Sequence, residues 1–415
     1  MNRSLKIGKL LFILYIIMPL LIMFINYLEL NINTLNFWYI AVFLMFIYVL
    51  VLFKNNYREL FSWKYLPLLL LIFILVLTSI LAKDSQLAFG GSEYRREGFF
   101  TYIAYLGYIY MGYHVKDFKE LKKYLNLMLG VCLIICGILL TKSAFAYKVF
   151  NLRLIDYYYA GPFSHFNHFG YYLLINSLLA TFMLYHQKGI GKIFYGLITI
   201  FLIYMLIVND TLGCILSYLL ITIIFIVIIL IQKKQYLVLL SLGILFLSSS
   251  CILSFKTSLI QNNLNNLWMD AQKIVQSIKQ KDETLLYDIG TERGKLWLYG
   301  IKIFVKKPIF GYGLENIANE YLAYNIYQTR PHNFILEMLM SIGLIGTILL
   351  FYNLAKIIVP KIKKIKTLKT SAFLALYVVL GYLINLMFGN SMFYTSAYFY
   401  FFLGVLMNKE GYNEV

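Results

Sequence analysis

Arg330-Pro331-His332-Asn333-Phe334-Ile335-Leu336-Glu337 leads out of a long polar stretch into a hydrophobic run that closes at Gly343-Leu344-Ile345-Gly346. Pro331 lacks a backbone donor and presets φ, so a helix is expected to start just after it. On that helix Asn333 and Glu337 share a face, because residues four apart are neighbours. His332 then stands at the water boundary beside them. An imidazole there can take a proton from a hydroxyl near neutral pH, and the Arg330 guanidinium can hold phosphate oxygens in a planar fork. In isolation a His-Arg pair also fits two solvated interface residues, so the rest of the chain decides between a site and a boundary.

The rest of the chain is membrane-like. Hydrophobic residues make up 61% of the 415 residues and charged ones 13%, about half the charged share of an ordinary soluble domain. Apolar runs that can cross ~30 Å of hydrocarbon fall near 10–27, 37–53, 65–82, 99–113, 124–140, 163–185, 193–208, 212–231, 236–255, 334–352, 371–388 and 392–407. The expectation is an all-α polytopic membrane protein of about twelve transmembrane helices. Spans one to nine occupy 1–255, an extracytoplasmic loop domain occupies 256–331, and spans ten to twelve with a short tail occupy 332–415. The first run is too long for a signal peptide and no small-residue cleavage site follows it, so it is expected to stay. Cys132, Cys136, Cys214 and Cys251 all sit inside apolar runs, which suggests neither a disulfide framework nor a reactive thiolate.

Threading the runs with the N-terminus inside places the lysine clusters on one side, while the short connections 29–36, 209–211 and 389–391 carry no Lys or Arg. That obeys the positive-inside rule and puts both termini in the cytoplasm of a plasma-membrane protein. The net charge of +18 lies in these short clusters, a topological pattern and not a nucleic-acid surface. The arginines break the pattern: Arg95, Arg96, Arg153, Arg293 and Arg330 all fall outside. Topology is indifferent to which cation supplies it, whereas planar recognition of phosphate is not. An anionic ligand is therefore expected at the outer face.

Within the long external segment, 258–287 reads as a polar, solvated cap. Residues 293–307 read as an amphipathic helix, with Leu296, Trp297, Ile301 and Phe304 on one face and Lys295, Lys302 and Lys306 on another, stopped by Pro308. Such a helix is expected in the interface plane with Trp297 in the headgroup layer and Arg293 toward the centre. Next comes Pro308-Ile309-Phe310-Gly311-Tyr312-Gly313-Leu314-Glu315-Asn316, a turn whose glycines allow close backbone approach but which lacks the ending of a nucleotide-binding P-loop. Tyr321, Tyr324 and Tyr327 follow, suited to stacking on sugars or to anchoring at the interface. Earlier, Gly90-Gly91-Ser92-Glu93-Tyr94-Arg95-Arg96-Glu97-Gly98 is a charged outer loop, and His165 and His168 open a span three residues apart. With no Cys or acidic pair to complete a ligand set, the two histidines are read as lining a water-accessible cavity, and no metal is expected.

The segment from Gly161 to Asn167, the Arg293 to Trp297 helix with Pro308 to Asn316, and His332-Asn333 leading to Gly343-Leu344-Ile345-Gly346 resemble the O-antigen ligase and Wzy-type polysaccharide polymerase superfamily. The resemblance implies a GT-C-like membrane glycosyltransferase with a large external loop. Such an enzyme takes a glycan from an undecaprenyl-pyrophosphate donor and transfers it, with inversion and without a cofactor, to a hydroxyl of an acceptor glycan or lipid. It implies His332 as the base, Arg293 and Arg330 on the pyrophosphate, and a flippase and a chain-length regulator as partners. Glu337 joins His332 as a catalytic candidate, since a buried carboxylate in a membrane helix is costly and usually functional. Arg95, Arg96, Arg153, Asn333, His165, His168 and Asn316 complete the expected substrate-binding set. The sequence departs from the family at Asn209-Asp210-Thr211-Leu212-Gly213, where many members carry Ser-Arg-Gly, and at Ser341, where an acid is common. The expected activity is polymerisation of lipid-linked repeat units into capsular, exo- or O-antigen polysaccharide at the outer membrane face. A ligase of the same chemistry and a flippase for lipid-linked glycan are the alternatives.

Overall fold

A computed structural model describes residues 3–30, 34–60, 63–150, 160–163, 165–232 and 258–408, and among these the fold is helical throughout. The helices are α1 (Arg3–Tyr27), α2 (Thr34–Leu60), α3 (Leu66–Ile80), α4 (Ser85–Gly90), α5 (Phe99–Tyr113), α6 (Phe118–Thr141), α7 (Ala144–Val149) and α8 (Phe166–His186). They continue with α9 (Gly189–Val208), α10 (Leu212–Gln232), α11 (Ser258–Gln280), α12 (Ile289–Lys306), α13 (Ala318–Leu322), α14 (Phe334–Lys363), α15 (Thr370–Leu386) and α16 (Phe393–Met407).

Among the described residues, seven helical stretches are long and apolar enough to cross a membrane: Arg3–Tyr27, Leu35–Asn55, Trp63–Ile80, Phe118–Thr141, Gly189–Val208, Leu212–Ile231 and Phe334–Lys363. The expected runs at 99–113, 163–185, 371–388 and 392–407 do form helices, α5, α8, α15 and α16, but these are shorter or more polar than that standard. The run at 236–255 lies outside the described residues. The reason is position in the bundle. From Phe393 to Leu406 α16 is buried apart from a half-buried Tyr400, so protein and not lipid surrounds it. Its Thr395 and Ser396 hydroxyls are answered from within by Tyr382 OH, at 2.8 and 3.3 Å. Helices on the outside carry the lipid-like surface, and Ile193, Leu197 and Ile200 of α9 are each about two-thirds exposed.

Two crossings position the site. Gly112 of α5 lies under the Phe401 carbonyl of α16, while Gly404 of α16 lies under the Ile109 carbonyl of α5, and a Cβ at either would collide with that oxygen. Small residues let the two backbones touch, the usual basis of close helix packing in membranes. The second crossing is a break in α14. Gly343 stands at φ 67°, ψ −175°, a conformation open essentially to glycine alone. The break exposes the carbonyls of Met340 and Ser341, which accept from Tyr312 N and Gly313 N, each at 2.8 Å. Leu344 N returns a bond to Pro308 O at 2.8 Å. The glycine-bearing turn after Pro308 is thus clasped by backbone into the broken helix, which explains why the sequence puts glycines at 311, 313 and 343. Gly343→Ala combines the strained φ with a Cβ driven into the Ile309 carbonyl. The expected cost is on the order of 1–3 kcal/mol, read as a lowered Tm in detergent. An unchanged Tm would mean that the break is not needed for the clasp.

Candidate active site

Four loops meet where α14 begins: 91–98 ahead of α5, 308–316 after α12, 330–333 and 387–392 between α15 and α16. Loop 91–98 is pinched shut by its glycines, since a Cβ on Gly91 would overlap the backbone of Arg96. The pinch sends the two arginines in different directions. Arg96 leaves the site, donating from Nη2 to Asn36 Oδ1 at 2.7 Å and lying over the Tyr39 ring. Arg95 turns inward, and its Nη1 is buried without a hydrogen-bond partner. Burial, helped by the neighbouring Arg330 charge, lowers Arg95 to about 10, which leaves it cationic at neutral pH.

Arg330 is 3% exposed. Its Nη2 pairs with Glu315 Oε1, its Nη1 pairs with Glu337 Oε1 at 2.8 Å, and Nη1 also donates to Ser391 O at 3.1 Å. Burial opposes its charge, yet the carboxylates of Glu315 and then Glu337 outweigh burial and raise its pKa. A third acid completes the knot: Glu97 accepts from Tyr105 OH at 2.6 Å and from Ser391 Oγ at 3.3 Å. Burial pushes Glu97 up to about 8 against the pull of Arg330, so it is mostly protonated near neutral pH. Arg330 therefore ties the 308–316 loop and the start of α14 together through carboxylates and the 387–392 loop through a backbone carbonyl, with Glu97 joined through Ser391. Glu337 faces Arg330, not His332 as the sequence suggests.

His332 sits at φ 51°, a left-handed turn that lifts its ring out of line with α14. Its Nδ1 lies 3.1 Å from Asn390 Nδ2, with the roles set by the tautomer. Trp297 of α12 holds the turn from the other side, donating from Nε1 to Pro331 O at 2.9 Å. Its indole N–H thus serves the loop beside His332. Burial first, then the charges of Arg293, Arg95, Arg330 and His165 in that order, push His332 down to about 4. Arg293, at the start of α12, is thus the cation that His332 feels most. Arg293 and Arg95 make no ion pair among the described residues.

The remaining expected site residues divide. Asn333 caps α14, accepting from Leu336 N at 3.0 Å and donating to Met387 O at 3.2 Å. Asn316 spans Asp84 like a peptide, accepting from its N at 2.9 Å and donating to its O at 3.0 Å, with a further bond to Leu314 O. Both amides hold loops in place. His165 caps α8 by accepting from Asn167 N at 3.1 Å, and its ring centroid is 5.5 Å from that of His168. Arg95 is the cation that acts on His165, and His165 in turn acts on His332. Asn209 donates to Phe166 O at 3.1 Å, which packs the 209–213 turn onto the start of α8. Of the three tyrosines, Tyr321 is fully buried, Tyr324 packs at a tilt against Tyr299 with ring centroids 4.9 Å apart, and Tyr327 is 85% exposed. Arg153 lies outside the described residues.

Residues 197–351 match the family model described as O-antigen ligase. This segment belongs to the O-antigen ligase and Wzy-type superfamily. No curated protein matches the chain. The O-antigen ligase domain runs from α9 into α14 and so contains Arg293, Glu315, Arg330, His332 and Glu337. The apolar helices indicate a multi-pass membrane protein, and the match over 197–351 supports an enzyme of the O-antigen ligase and polymerase type, broadly a glycosyl-transferring class. Four groups facing the domain's own residues come from outside it: Arg95, Glu97, Asn390 and Ser391. Sequence reasoning passes over Glu97, Asn390 and Ser391. Their signal is an acid beside two arginines and a polar Gly-Asn-Ser connection between apolar runs.

Proposed function

We propose that the protein polymerises undecaprenyl-pyrophosphate-linked repeat units into a surface polysaccharide, by inverting, metal-independent transfer on a GT-C-like scaffold. The scaffold has twelve spans, both termini cytoplasmic and the site facing outward. The observation that carries this reading is the convergence on His332 of Arg293 and Arg95, two guanidiniums that form no ion pair among the described residues. A dianionic leaving group needs such fixed cations where its charge develops. In the proposed step the acceptor hydroxyl oxygen bonds to the anomeric carbon as the carbon–oxygen bond to pyrophosphate breaks. The hydroxyl proton goes to His332, and the electron pair leaves on the pyrophosphate between Arg293 and Arg95. Arg95, facing His165 near the 209–213 turn, takes the place of the arginine that many relatives carry there. Arg330 and Glu337 act by holding the His332 turn.

Asn390 selects the tautomer. Asn390 Oδ1 is buried without a partner, and turning the amide over would bring it to His332 Nδ1. An Nδ1–H donating to Oδ1 leaves Nε2 free to accept the proton.

Arg293→Lys tests the clamp. A lysine keeps the charge and loses the fork, so polymer formation from purified lipid-linked oligosaccharide in reconstituted membranes is expected to fall ~10-fold or more. Full activity would remove the bidentate role. A laddered product supports polymerisation, whereas one transfer per acceptor would indicate a ligase.

A further inference from the structure

We infer that α11 is an in-plane docking helix whose outward face inserts into the outer leaflet of the bilayer. The helix is turned inside out relative to a soluble one. Its polar stripe Asp270, Lys273 and Ser277 faces the protein: Asp270 Oδ2 accepts from Gly290 N at 2.9 Å, Lys273 pairs with Asp288 at 3.4 Å, and Ser277 is 7% exposed. Its apolar stripe faces away, with Trp268 at 66%, Val275 at 50% and Ile278 at 74% exposure. Positions 268, 271, 275 and 278 recur at helical spacing, so Ala271 joins them in one continuous face. By sequence alone this segment reads as a solvated cap, because the polar residues outnumber the apolar ones; it is their separation onto two faces that matters.

Lipid is the occupant that the chain itself supplies. In the sequence, an uncharged apolar run fills 236–255 and ends only three residues before α11 begins at Ser258. A chain leaving hydrocarbon reaches no further than about 10 Å in three residues, so α11 starts at headgroup level. A helix that is polar in overall composition yet sorts its apolar residues onto one side suits the interface plane, and Lys279 and Lys281 at its end suit anionic headgroups. The polar stripe then transmits the attachment, because Asp270 and Lys273 grip the residues just ahead of Arg293. The inference concerns the membrane alone and does not depend on the proposed glycan chemistry.

The test uses the full chain in nanodiscs of phosphatidylethanolamine and phosphatidylglycerol, with one spin label per variant at Val275→Cys, Ile278→Cys, Gln272→Cys or Gln276→Cys. Cys132, Cys136 and Cys214 are buried, and Cys251→Ser removes the remaining thiol. Collision with oxygen is expected to exceed collision with a water-soluble nickel chelate severalfold at 275 and 278, with the order reversed at 272 and 276. Equal nickel access at all four positions would overturn the inference by placing the face in water. Protection of 275 and 278 from both reagents would overturn it too, by placing a protein or a second copy there.

Discussion

His332→Ala is expected to lower glycosyl transfer by roughly 10²- to 10⁴-fold, the usual worth of a positioned general base. Donor binding should change little, because Arg293 and Arg95 remain. Lipid-linked units should still reach the outer leaflet and accumulate there; accumulation on the inner leaflet instead would show that the chain moves lipid and does not join sugars. The pH profile adds a sharper signature. His332 is pushed down to about 4 by burial and by the surrounding cations. The neutral, proton-accepting form therefore prevails at neutral pH, and it is lost only as pH falls through about 4. The acid limb of kcat/KM, which reports the free enzyme, is expected there and not near 6.5. A bound pyrophosphate sets negative charge among the guanidiniums and raises the imidazole pKa, so the limb in kcat should lie at higher pH than the limb in kcat/KM. Donor binding thereby makes His332 a stronger base at the moment it is needed. Coincident limbs would show that the diphosphate does not sit beside His332. Asn390→Asp keeps an acceptor for Nδ1–H and should move both limbs upward while retaining activity.

Arg330→Ala is expected to destabilise the folded protein by about 3–5 kcal/mol, because it leaves carboxylates buried and unpaired. Glu315 and Glu337 lose their partner and Glu97 loses the charge that restrains it. The readout is Tm in detergent, with activity lost through displacement of the His332 turn. Glu337→Gln should cost less, since Arg330 keeps Glu315. If Arg330 instead gripped the donor directly, Arg330→Ala would leave Tm unchanged and weaken donor binding alone. The distinction matters because two arginines that look equivalent in sequence, Arg293 and Arg330, differ in what already satisfies them.

That difference also marks how far the sequence can be read. Hydropathy and the lysine distribution determine a multi-pass helical protein, because water and hydrocarbon sort side chains before any tertiary contact forms. The glycines at 311, 313 and 343 announce close backbone approach, though not that the turn and the broken helix clasp each other. Residue type likewise carries the chemistry of His332 and Arg293, since few side chains can deprotonate a hydroxyl or fork onto phosphate.

Only tertiary structure decided which cations stay available. Arg330 is quenched by Glu315, 15 residues before it, and Glu337, seven after it; Arg95 and Arg96 diverge because a glycine-pinched loop turns one in and one out. Asn390 and Ser391 reach His332 and Arg330 across about sixty residues of chain. The central helices α5, α8, α15 and α16 are shorter or more polar than the outer ones, since a helix walled in by protein is free to carry tyrosines and hydroxyls that lipid would reject. Sequence by itself fixes what each side chain is able to do; the charges and dipoles packed around it fix which of those things it does, and those neighbours are distant in the chain.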